Sequence, residues 1–402
     1  MLLAQDRPQQ VLDAGKFLFD LLIVGAGGAG MNLLLALMKS GYTQNHKVGV
    51  IEPFDKDSND RTWCFWAQPT DDIVIDLDEV ISASWTNMLV NGVEKKSIDP
   101  FRYYHIKSQD FYQYVKKQMQ DRGVEWIKDE IEFIEQRTGK AILHGKNESY
   151  FTQRIFDSRL NADQVEALKN ENNLLWQSFY GYKIRLSEGI FDPDAMTMMS
   201  FDVEQSGGTQ FMYVLPYNEK EALIELTRFS PQLINLDRSA QIMDKWIRGH
   251  YGPYTLIETE LGRIPMTDQL ENHSAGVEQD RVPIGTAAGA VKSSTGYAFK
   301  RMYKHAHEIA RSLKYDLPIP SVSSRKRSTF YDRILLHLLK EQPEKGKLIF
   351  TRLFKKVMPQ KVLRFLDEET TLAEELAILA TLPFGLFSKA FLDVYILKRF
   401  KS

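Results

Sequence analysis

The chain has 402 residues, and its 51 basic and 53 acidic side chains give a net charge of −2, which excludes the strongly basic surface of a nucleic-acid-binding protein. Hydrophobic residues make up 43% and charged residues 26%, a composition that is ordinary for globular proteins and excludes extensive disorder. This length predicts two or three domains, and the single cysteine, Cys64, excludes an intrachain disulfide and indicates a reducing compartment.

The N-terminal segment lacks the apolar core of a signal peptide, and no stretch reaches the roughly 18 apolar residues that span a bilayer. The longest apolar stretch, residues 376–387, is interrupted by Pro383 and Gly385. We therefore expect a cytoplasmic protein without a transmembrane segment.

Residues 20–52 predict a strand, a glycine turn, a helix and a second strand. An apolar run from Asp20 to Val24 ends at Gly25, an apolar helix follows, and residues 48–51 form another apolar run. Apolar strands around a helix are typical of a buried parallel sheet.

The glycine turn has the G-x-G-x-x-G spacing of a dinucleotide-binding site. Gly25 permits the tight turn, Gly27 lets the backbone approach a pyrophosphate, and Gly30 lets the helix pack closely on the strand. Glu52, at the end of the second strand, can accept hydrogen bonds from a ribose. With Ala26 inside the turn, these residues predict a dinucleotide site, and the alternative is a purely structural βαβ turn.

The later elements are predicted from changes of hydrophobic pattern. Residues 108–122 predict an amphipathic helix, 124–156 several short strands, and 176–262 mostly strands with a helix at about 236–250. A strand and turn at 282–289 precede a helix that continues to about Leu313. Beyond Pro318 the chain is helical in character, and from Asp316 onward it has 16 basic and 10 acidic residues.

A second glycine-rich segment favours FAD over NAD. Gly285 and Gly289 follow an apolar strand, and Thr295, Gly296 and Tyr297 come just before a helix. Two such turns in one chain suit the long FAD molecule, and a helix N-terminus at Thr295 would favour a negatively charged reduced flavin. The alternative is an ordinary helix cap by a hydroxyl side chain.

Taken together, the segments resemble those of the lycopene cyclases of carotenoid biosynthesis, flavoproteins distantly similar to flavin hydroxylases. The resemblance extends from about Asp20 to Phe391. The segments that carry it are the glycine turn with Glu52-Pro53, Arg61-Thr-Trp63-Cys-Phe-Trp66, Phe156-Asp-Ser-Arg159, Trp176-Gln-Ser-Phe179-Tyr-Gly181, Phe211-Met-Tyr213-Val-Leu-Pro216, Leu223-Ile-Glu225-Leu-Thr227, Gly262-Arg-Ile-Pro265 and Ser294-Thr-Gly-Tyr297.

The resemblance implies an isomerase-type enzyme that forms β-ionone end rings on lycopene, towards γ- and β-carotene. It also implies a proton-initiated cyclisation without net redox change that uses reduced FAD, with NADPH as a reductant. Two alternatives remain, an FAD-dependent monooxygenase or dehydrogenase acting on a lipophilic substrate, and a non-catalytic flavin or carotenoid carrier.

Glu225 is the first candidate for the acid that such a cyclisation needs. Its apolar strand predicts desolvation, which would raise its pKa and keep it protonated, although a glutamate in a strand usually lies on the solvated face. Glu260 is a second candidate. Arg61 is expected to contact the flavin or its phosphates, with a surface ion pair as the alternative. Candidates for stabilising a carbocation, or for plain core packing, are Trp63, Trp66, Phe179, Phe211, Tyr213 and Tyr297.

No metal-binding motif is found in the sequence, since His305 and His307 lie two apart on a predicted helix and point to different faces. The tail from Phe384 onward mixes bulky apolar and basic side chains. This combination predicts peripheral association with a membrane surface, where a polyene substrate would partition, and the alternative is a core-packed helix.

We expect an α/β fold, with a Rossmann-like FAD-binding domain interleaved with a mostly β substrate domain and followed by a helical C-terminal region. The expected bounds are 1–70, 101–160 and 281–315 for the FAD-binding domain, 71–100 and 161–280 for the substrate domain, and 316–402 for the helical region.

Overall fold

The computed structural model describes residues 18–399, apart from 92–93, 121, 138, 271–280, 323 and all of 161–173 except 164, 166 and 168. The predictions made for the N-terminal segment and for the last three residues lie outside this part of the chain. The fold is of the predicted class, with a Rossmann-like domain interleaved with a mostly β domain and a helical C-terminal region.

The elements are numbered along the chain. The strands are β1 (Leu18–Val24), β2 (Val48–Ile51), β3 (Thr62–Ala67), β4 (Ile81–Trp85), β5 (Asn87–Val90), β6 (Glu94–Ser97), β7 (Arg102–Lys107), β8 (Val124–Ile127), β9 (Ile131–Arg137), β10 (Lys140–Gly145), β11 (Ser149–Asp157), β12 (Leu175–Leu186), β13 (Ala195–Ser200), β14 (Thr209–Pro216), β15 (Glu221–Ser230), β16 (Tyr254–Met266) and β17 (Arg281–Pro283). The helices are α1 (Gly28–Ser40), α2 (Asp72–Leu77), α3 (Ser108–Met119), α4 (Leu236–Tyr251), α5 (Phe299–Lys314), α6 (Lys326–Glu341), α7 (Lys345–Lys356), α8 (Pro359–Leu366), α9 (Leu372–Leu379) and α10 (Phe384–Arg399).

The first sheet has the strand order β8-β2-β1-β11-β10-β9, with β17 also paired to β11. The β8, β2, β1 and β11 strands are parallel to one another, and β17 is parallel to β11, whereas β10 is antiparallel to both β11 and β9. Ile23 packs with the helices α1 and α5 on one face, whereas Leu22 packs with Leu143 of β10 on the other. Because both faces are covered, residues 21–24 of β1 are apolar without interruption, as the sequence predicts.

The second sheet has the order β16-β12-β15-β14-β13-β5-β6 and is antiparallel except between β13 and β5. Successive residues of β15 point to opposite faces. Ile224 therefore packs with Trp246 of α4, whereas Leu223 and Phe229 pack with the C-terminal helices. Glu225 shares the face of Leu223 and Phe229.

A three-stranded sheet, β3-β7-β4, joins the two larger sheets. Phe65 and Tyr104 belong to the core of the first sheet, whereas Trp66 and Tyr103 belong to that of the second. Successive side chains of β3 and β7 point to opposite faces, so one face of this sheet packs in the core of the first sheet and the other in the core of the second.

Buried ion pairs attach the helical C-terminal region to α5 and to the segment before it. Lys292 lies 2.8 Å from the Asp332 carboxylate of α6 and 3.0 Å from that of Glu368. Lys300 lies 2.6 Å from the carboxylate of Asp367. Breaking a buried pair of this kind leaves an uncompensated charge, so these contacts fix how the helices meet the first domain.

Among the described residues, no single helix has the length and apolar character to cross a membrane. Only as a pair, bent by 115°, do Leu372–Leu379 and Phe384–Tyr395 reach that length and composition.

Candidate active site

The main cavity has a volume of about 1220 Å³ and lies where the glycine turn, the second sheet and the C-terminal helices meet. Gly27 and Gly28 line it on one side, Glu225 and Phe179 on another, and Phe354 of α7 on a third. The cavity therefore joins the predicted dinucleotide site to an apolar chamber.

The glycine turn has the geometry that its spacing predicts. Gly25 has a φ of +92°, which L side chains rarely adopt. A Cβ on Gly30 would lie 2.0 Å from the Gly25 carbonyl oxygen, so the helix packs directly on the turn. A Cβ on Gly27 would meet nothing within 4 Å, which leaves space over its backbone. The Glu52 carboxylate is buried and accepts a hydrogen bond of 2.8 Å from the Ala26 backbone N–H.

The second glycine-rich segment packs against the first. Gly285 has a φ of +64°, and a Cβ there would lie 2.6 Å from the Cβ of Ala29. Gly289 ends the short 3-10 turn over Gly285–Ala288 with a φ of +77°. A Cβ on Gly296 would lie 2.3 Å from Gln177 Oε1, so this turn is pressed against β12. Thr295 Oγ1 is buried without a hydrogen-bond partner in the described part of the chain.

Arg61 and Trp63 form another part of the cavity wall. The Arg61 side chain is exposed, and its Nη1 donates a hydrogen bond of 2.6 Å to the Asp60 carbonyl. The Trp63 ring stacks on Phe299 with a centroid distance of 5.0 Å and covers Gly28. Arg61 thus has no carboxylate partner among the described residues, contrary to the ion-pair alternative.

Glu225 is a carboxyl group in an apolar wall. It is only 6% exposed and lines the main cavity. No side chain in the described ranges donates a hydrogen bond to it. Burial raises the pKa of Glu225 well above its ordinary range, and the negative charge of Glu260 raises it further. The solvated alternative considered for this glutamate is therefore wrong.

Glu260 is a neighbour of Glu225 but lies behind the cavity wall. It lines a second, small cavity instead of the main one. Its Oε2 accepts a hydrogen bond of 2.6 Å from Thr62 Oγ1. Burial raises the pKa of Glu260, while the Thr62 hydrogen bond and the charge of Arg61 oppose this shift.

A chain of three tyrosine hydroxyls crosses the site. The Tyr213 hydroxyl donates to that of Tyr103 at 2.6 Å, and the hydroxyls of Tyr103 and Tyr297 are 2.7 Å apart. All three side chains line the main cavity, and burial raises the pKa of each. They remain neutral hydrogen-bonding groups and present ring surface to the cavity.

The structure brings together most, but not all, of the predicted site residues. The candidate residues that line the main cavity are Gly27, Arg61, Glu225, Thr295, Gly296 and Tyr297, with the aromatic residues Trp63, Phe179, Phe211 and Tyr213. Trp66 is buried beside Tyr297, at a centroid distance of 4.7 Å, without reaching the cavity. The candidates that support the turns from behind without lining the cavity are Gly25, Ala26, Gly30, Glu52, Gly285 and Gly289. His305 and His307 form no metal site, and the described residues contain no cluster of metal ligands.

Sequence analysis assigned no role to three further residues of the site. Tyr103 lies at the centre of the hydroxyl chain, Thr62 binds Glu260, and Gly181 lies between Glu225 and Glu260 in the sheet. Thr62 and Glu260 are separated by 198 residues, so local pattern could not join them. Thr62 lies on β3 and Glu260 on β16, strands of different sheets, so only the packing of the two sheets brings them together.

Two observations test whether the residues at the cavity suit FAD. The open space over Gly27 leaves room for a pyrophosphate beside a helix N-terminus. The unpaired Thr295 Oγ1 is a buried hydroxyl that still needs a partner, and its residue lines the same cavity. The chain therefore fits a dinucleotide flavin in this position.

Comparison with known proteins gives one family and one fold. The model of the lycopene cyclase protein family matches residues 20–391. A lycopene beta-cyclase of Pantoea ananas is 24% identical over 291 residues, which cover 70% of this chain and 71% of that protein. Two solved structures are similar over nearly their whole length. A geranylgeranyl bacteriochlorophyll reductase-like protein of Thermoplasma acidophilum has a TM-score of 0.54 at 14% identity, covering 94% of this chain and 96% of that one.

The second is p-nitrophenol 4-monooxygenase of Pseudomonas putida, with a TM-score of 0.52 at 12% identity, covering 93% of this chain and 97% of that one. At these identities the structural likeness establishes the fold alone.

Proposed function

The chain belongs to the lycopene cyclase family, and we propose that it forms β-ionone end rings on lycopene, towards γ- and β-carotene. The reaction is a proton-initiated cyclisation with no net redox change. The observation that carries this proposal is the carboxyl group of Glu225, buried and facing a cavity with an aromatic wall.

Glu225 suits the role of the acid because its raised pKa keeps it protonated where an ordinary carboxyl group would be ionised. Its O–H bond breaks as the proton passes to a carbon of the terminal double bond. The neighbouring alkene then closes the ring on the resulting cation. The ring loses a proton from an adjacent carbon to the Glu225 carboxylate, which forms the new double bond and restores the acid. No electron leaves the hydrocarbon, so the product is an isomer of the substrate.

The cavity wall suits a hydrocarbon cation. Aromatic faces stabilise a nearby cation by roughly 0.5–2 kcal/mol each when water is excluded. Phe179, Phe211 and Tyr213 line the cavity on the same side as Glu225. An apolar wall also keeps water from capturing the cation before the ring loses its proton.

FAD would be held by the two glycine turns, with Gly27 at its pyrophosphate and Thr295 and Gly296 near its ring, and with Arg61 beside it. In its reduced form, which NADPH or another donor would maintain, FAD would supply negative charge next to the cavity. The turn at Gly296 is pressed against Gln177, so it would keep a fixed position beside the flavin ring.

The substrate is a lipid-soluble polyene, and we extend the proposal to peripheral membrane association of the C-terminal helices. Leu379 of α9 and Phe387 of α10 line the main cavity. On the outer side of the same helices, Leu376 is 57% and Phe384 is 85% exposed. One pair of helices thus connects an apolar surface with the cavity, as a route from a bilayer requires.

Expression in lycopene-accumulating cells, followed by pigment chromatography, tests the proposed function. The wild-type chain is expected to convert lycopene into γ- and β-carotene. Glu225→Gln is expected to reduce conversion at least about a hundredfold, because it keeps the shape and removes the acid. Glu221→Gln, the same substitution on the same strand, serves as the control and is expected to remain active.

A flavin monooxygenase or dehydrogenase acting on a lipophilic substrate would instead yield an oxidised pigment. In purified protein it would consume NADPH in proportion to product. Cyclic hydrocarbon without such consumption separates the two functions.

A further inference from the structure

We propose that Glu260 connects Glu225 with solvent, so that the acid exchanges its proton through the small polar cavity at Glu260 and not through the apolar main cavity. This inference rests on the proposed function, because it concerns the acid of that reaction. It assigns Glu260 the role of a relay that never touches the substrate.

The sheet register makes the two carboxyl groups neighbours. Gly181 of β12 is paired with Glu225 of β15 on one side and with Glu260 of β16 on the other. Residues paired directly across strands point to the same face. Gly181 has no side chain to separate its two neighbours, and a Cβ there would lie 3.0 Å from Glu225 Cγ and 3.5 Å from Oε1.

The two carboxyl groups open into different cavities. Glu225 lines the main cavity, whereas Glu260 lines a second cavity of about 20 Å³. A space of this size holds about one water molecule when its walls are polar. The polar side chains that line it include those of Thr62, Lys183, Glu258 and Glu260. The carboxyl pair therefore spans the wall between an apolar chamber and a polar one.

The polar chamber leads towards the protein surface. Glu258 precedes Glu260 by two residues, so both side chains lie on the same face of β16. Glu258 is exposed and is paired with Lys183 of β12. Polar groups thus continue from bulk solvent to Glu260, and Thr62 Oγ1 holds the Glu260 carboxylate at 2.6 Å.

The charges around the pair decide where its proton stays. Two neighbouring carboxyl groups in a site of low dielectric do not both ionise. Burial and the charge of Glu258 oppose ionisation of Glu260, but the Thr62 hydrogen bond and the charge of Arg61 favour it. Glu225 has burial and the charge of Glu260 against its ionisation and, among the described residues, no such group in favour of it. Glu225 therefore holds the proton at rest, and Glu260 is the acceptor through which that proton exchanges.

A relay has a measurable isotopic consequence. In the proposed reaction Glu225 takes back a proton from each completed ring. Without exchange, Glu225 would transfer this substrate hydrogen to the next lycopene end. With exchange through Glu260, a solvent hydrogen replaces it between turnovers.

The test is cyclisation in D₂O buffer, with lycopene in phosphatidylcholine liposomes and protein carrying reduced FAD, followed by mass spectrometry of the cyclic product. The wild-type protein is expected to add close to one deuterium per new ring. Glu260→Gln is expected to form rings with a severalfold lower deuterium content, and Glu260→Asp to restore part of it. Glu221→Gln is the control and is expected to match the wild type.

Full deuterium content in the rings formed by Glu260→Gln would overturn the relay and leave the proposed function intact. Absence of cyclic product from the wild type would instead overturn the proposed function. If Glu260→Gln fails to fold, Thr62→Val tests the relay instead, since it keeps the Glu260 carboxyl group and removes the hydrogen bond from Thr62. Deuterium content below that of the wild type in Thr62→Val supports the relay, and full content contradicts it.

Discussion

Glu225 and Glu260 lie on one face of the second sheet because both are paired with Gly181, which separates their strands without placing a side chain between them. Tyr213 of β14 is paired with Glu225 and extends this row of residues across the sheet. One line of four residues thus joins the hydroxyl chain, the buried acid and its polar neighbour.

This row predicts that Gly181→Ala impairs ring formation. The added methyl group would lie 3.0 Å from Glu225 Cγ and 3.4 Å from Leu223 Cδ1, so the carboxyl group must move. We expect a loss of about tenfold or more in cyclisation rate in the liposome assay, since catalytic groups tolerate little displacement. Gly249→Ala in α4 is the control, because a Cβ there meets nothing within 4 Å. Unchanged activity in Gly181→Ala would show that the position of the carboxyl group is not critical.

Alanine at two positions of the glycine turn is predicted to cause two different defects, a loss of stability for Gly30→Ala and a loss of flavin binding for Gly27→Ala. Gly30→Ala places a Cβ 2.0 Å from the Gly25 carbonyl oxygen, so we expect it to reduce the free energy of unfolding strongly. Gly27→Ala meets nothing within 4 Å of the new Cβ and should leave stability unchanged, but it fills the space proposed for the pyrophosphate. Thermal unfolding and flavin absorbance of the purified variants measure both effects. Retention of flavin at the wild-type level by Gly27→Ala would argue against the proposed position of FAD.

Burial of Glu225 predicts a pH-dependent gain in stability from Glu225→Gln. The pKa of this carboxyl group is higher in the folded than in the unfolded chain, so between these two values the folded chain binds more protons. Its contribution to stability is therefore fully present below the unfolded pKa of about 4.3 and is lost as the pH rises towards the folded pKa. We expect the free energy of unfolding of the variant to increase relative to that of the wild type by up to about 1.4 kcal/mol per pH unit within that window. Denaturant titrations from pH 5 to 8 measure this gain, and a gain that shrinks with pH would contradict the assignment.

The exposed face of α9 and α10 predicts that Phe384→Ser weakens membrane binding. Phe384 is 85% exposed, so its replacement should leave the fold intact while removing apolar area from the proposed membrane surface. We expect about tenfold weaker flotation with anionic liposomes, since burying a phenylalanine is worth roughly 1.5–3 kcal/mol. Ile75→Ser is the matched control, because Ile75 is 63% exposed on α2. Equal losses in both variants would show that this surface is not the membrane contact.

Local chemistry explains which parts of the site the sequence could predict. The spacing of Gly25, Gly27 and Gly30 follows from short-range sterics, and their backbone geometry agrees with it. The helices predicted at 236–250 and up to about Leu313 were found at Leu236–Tyr251 and Phe299–Lys314, because amphipathic periodicity is a strong local signal.

The register of the second sheet explains what the sequence could not predict. A strand pattern shows which residues share a face, but not which residues of another strand lie opposite them. Glu225 could therefore be singled out from its apolar neighbours, whereas its pairing with Gly181 could not. The different cavities of Glu225 and Glu260 also depend on Thr62 and Lys183, which come from distant parts of the chain.

The most direct test of the central claim is anaerobic conversion of lycopene in liposomes by the purified protein, comparing reduced with oxidised FAD. We expect cyclic product with reduced FAD, little product with oxidised FAD, and NADPH consumption far below the amount of product formed. Equal conversion with oxidised FAD, or no cyclic product with reduced FAD, would contradict a cyclisation by a buried acid beside an electron-rich flavin.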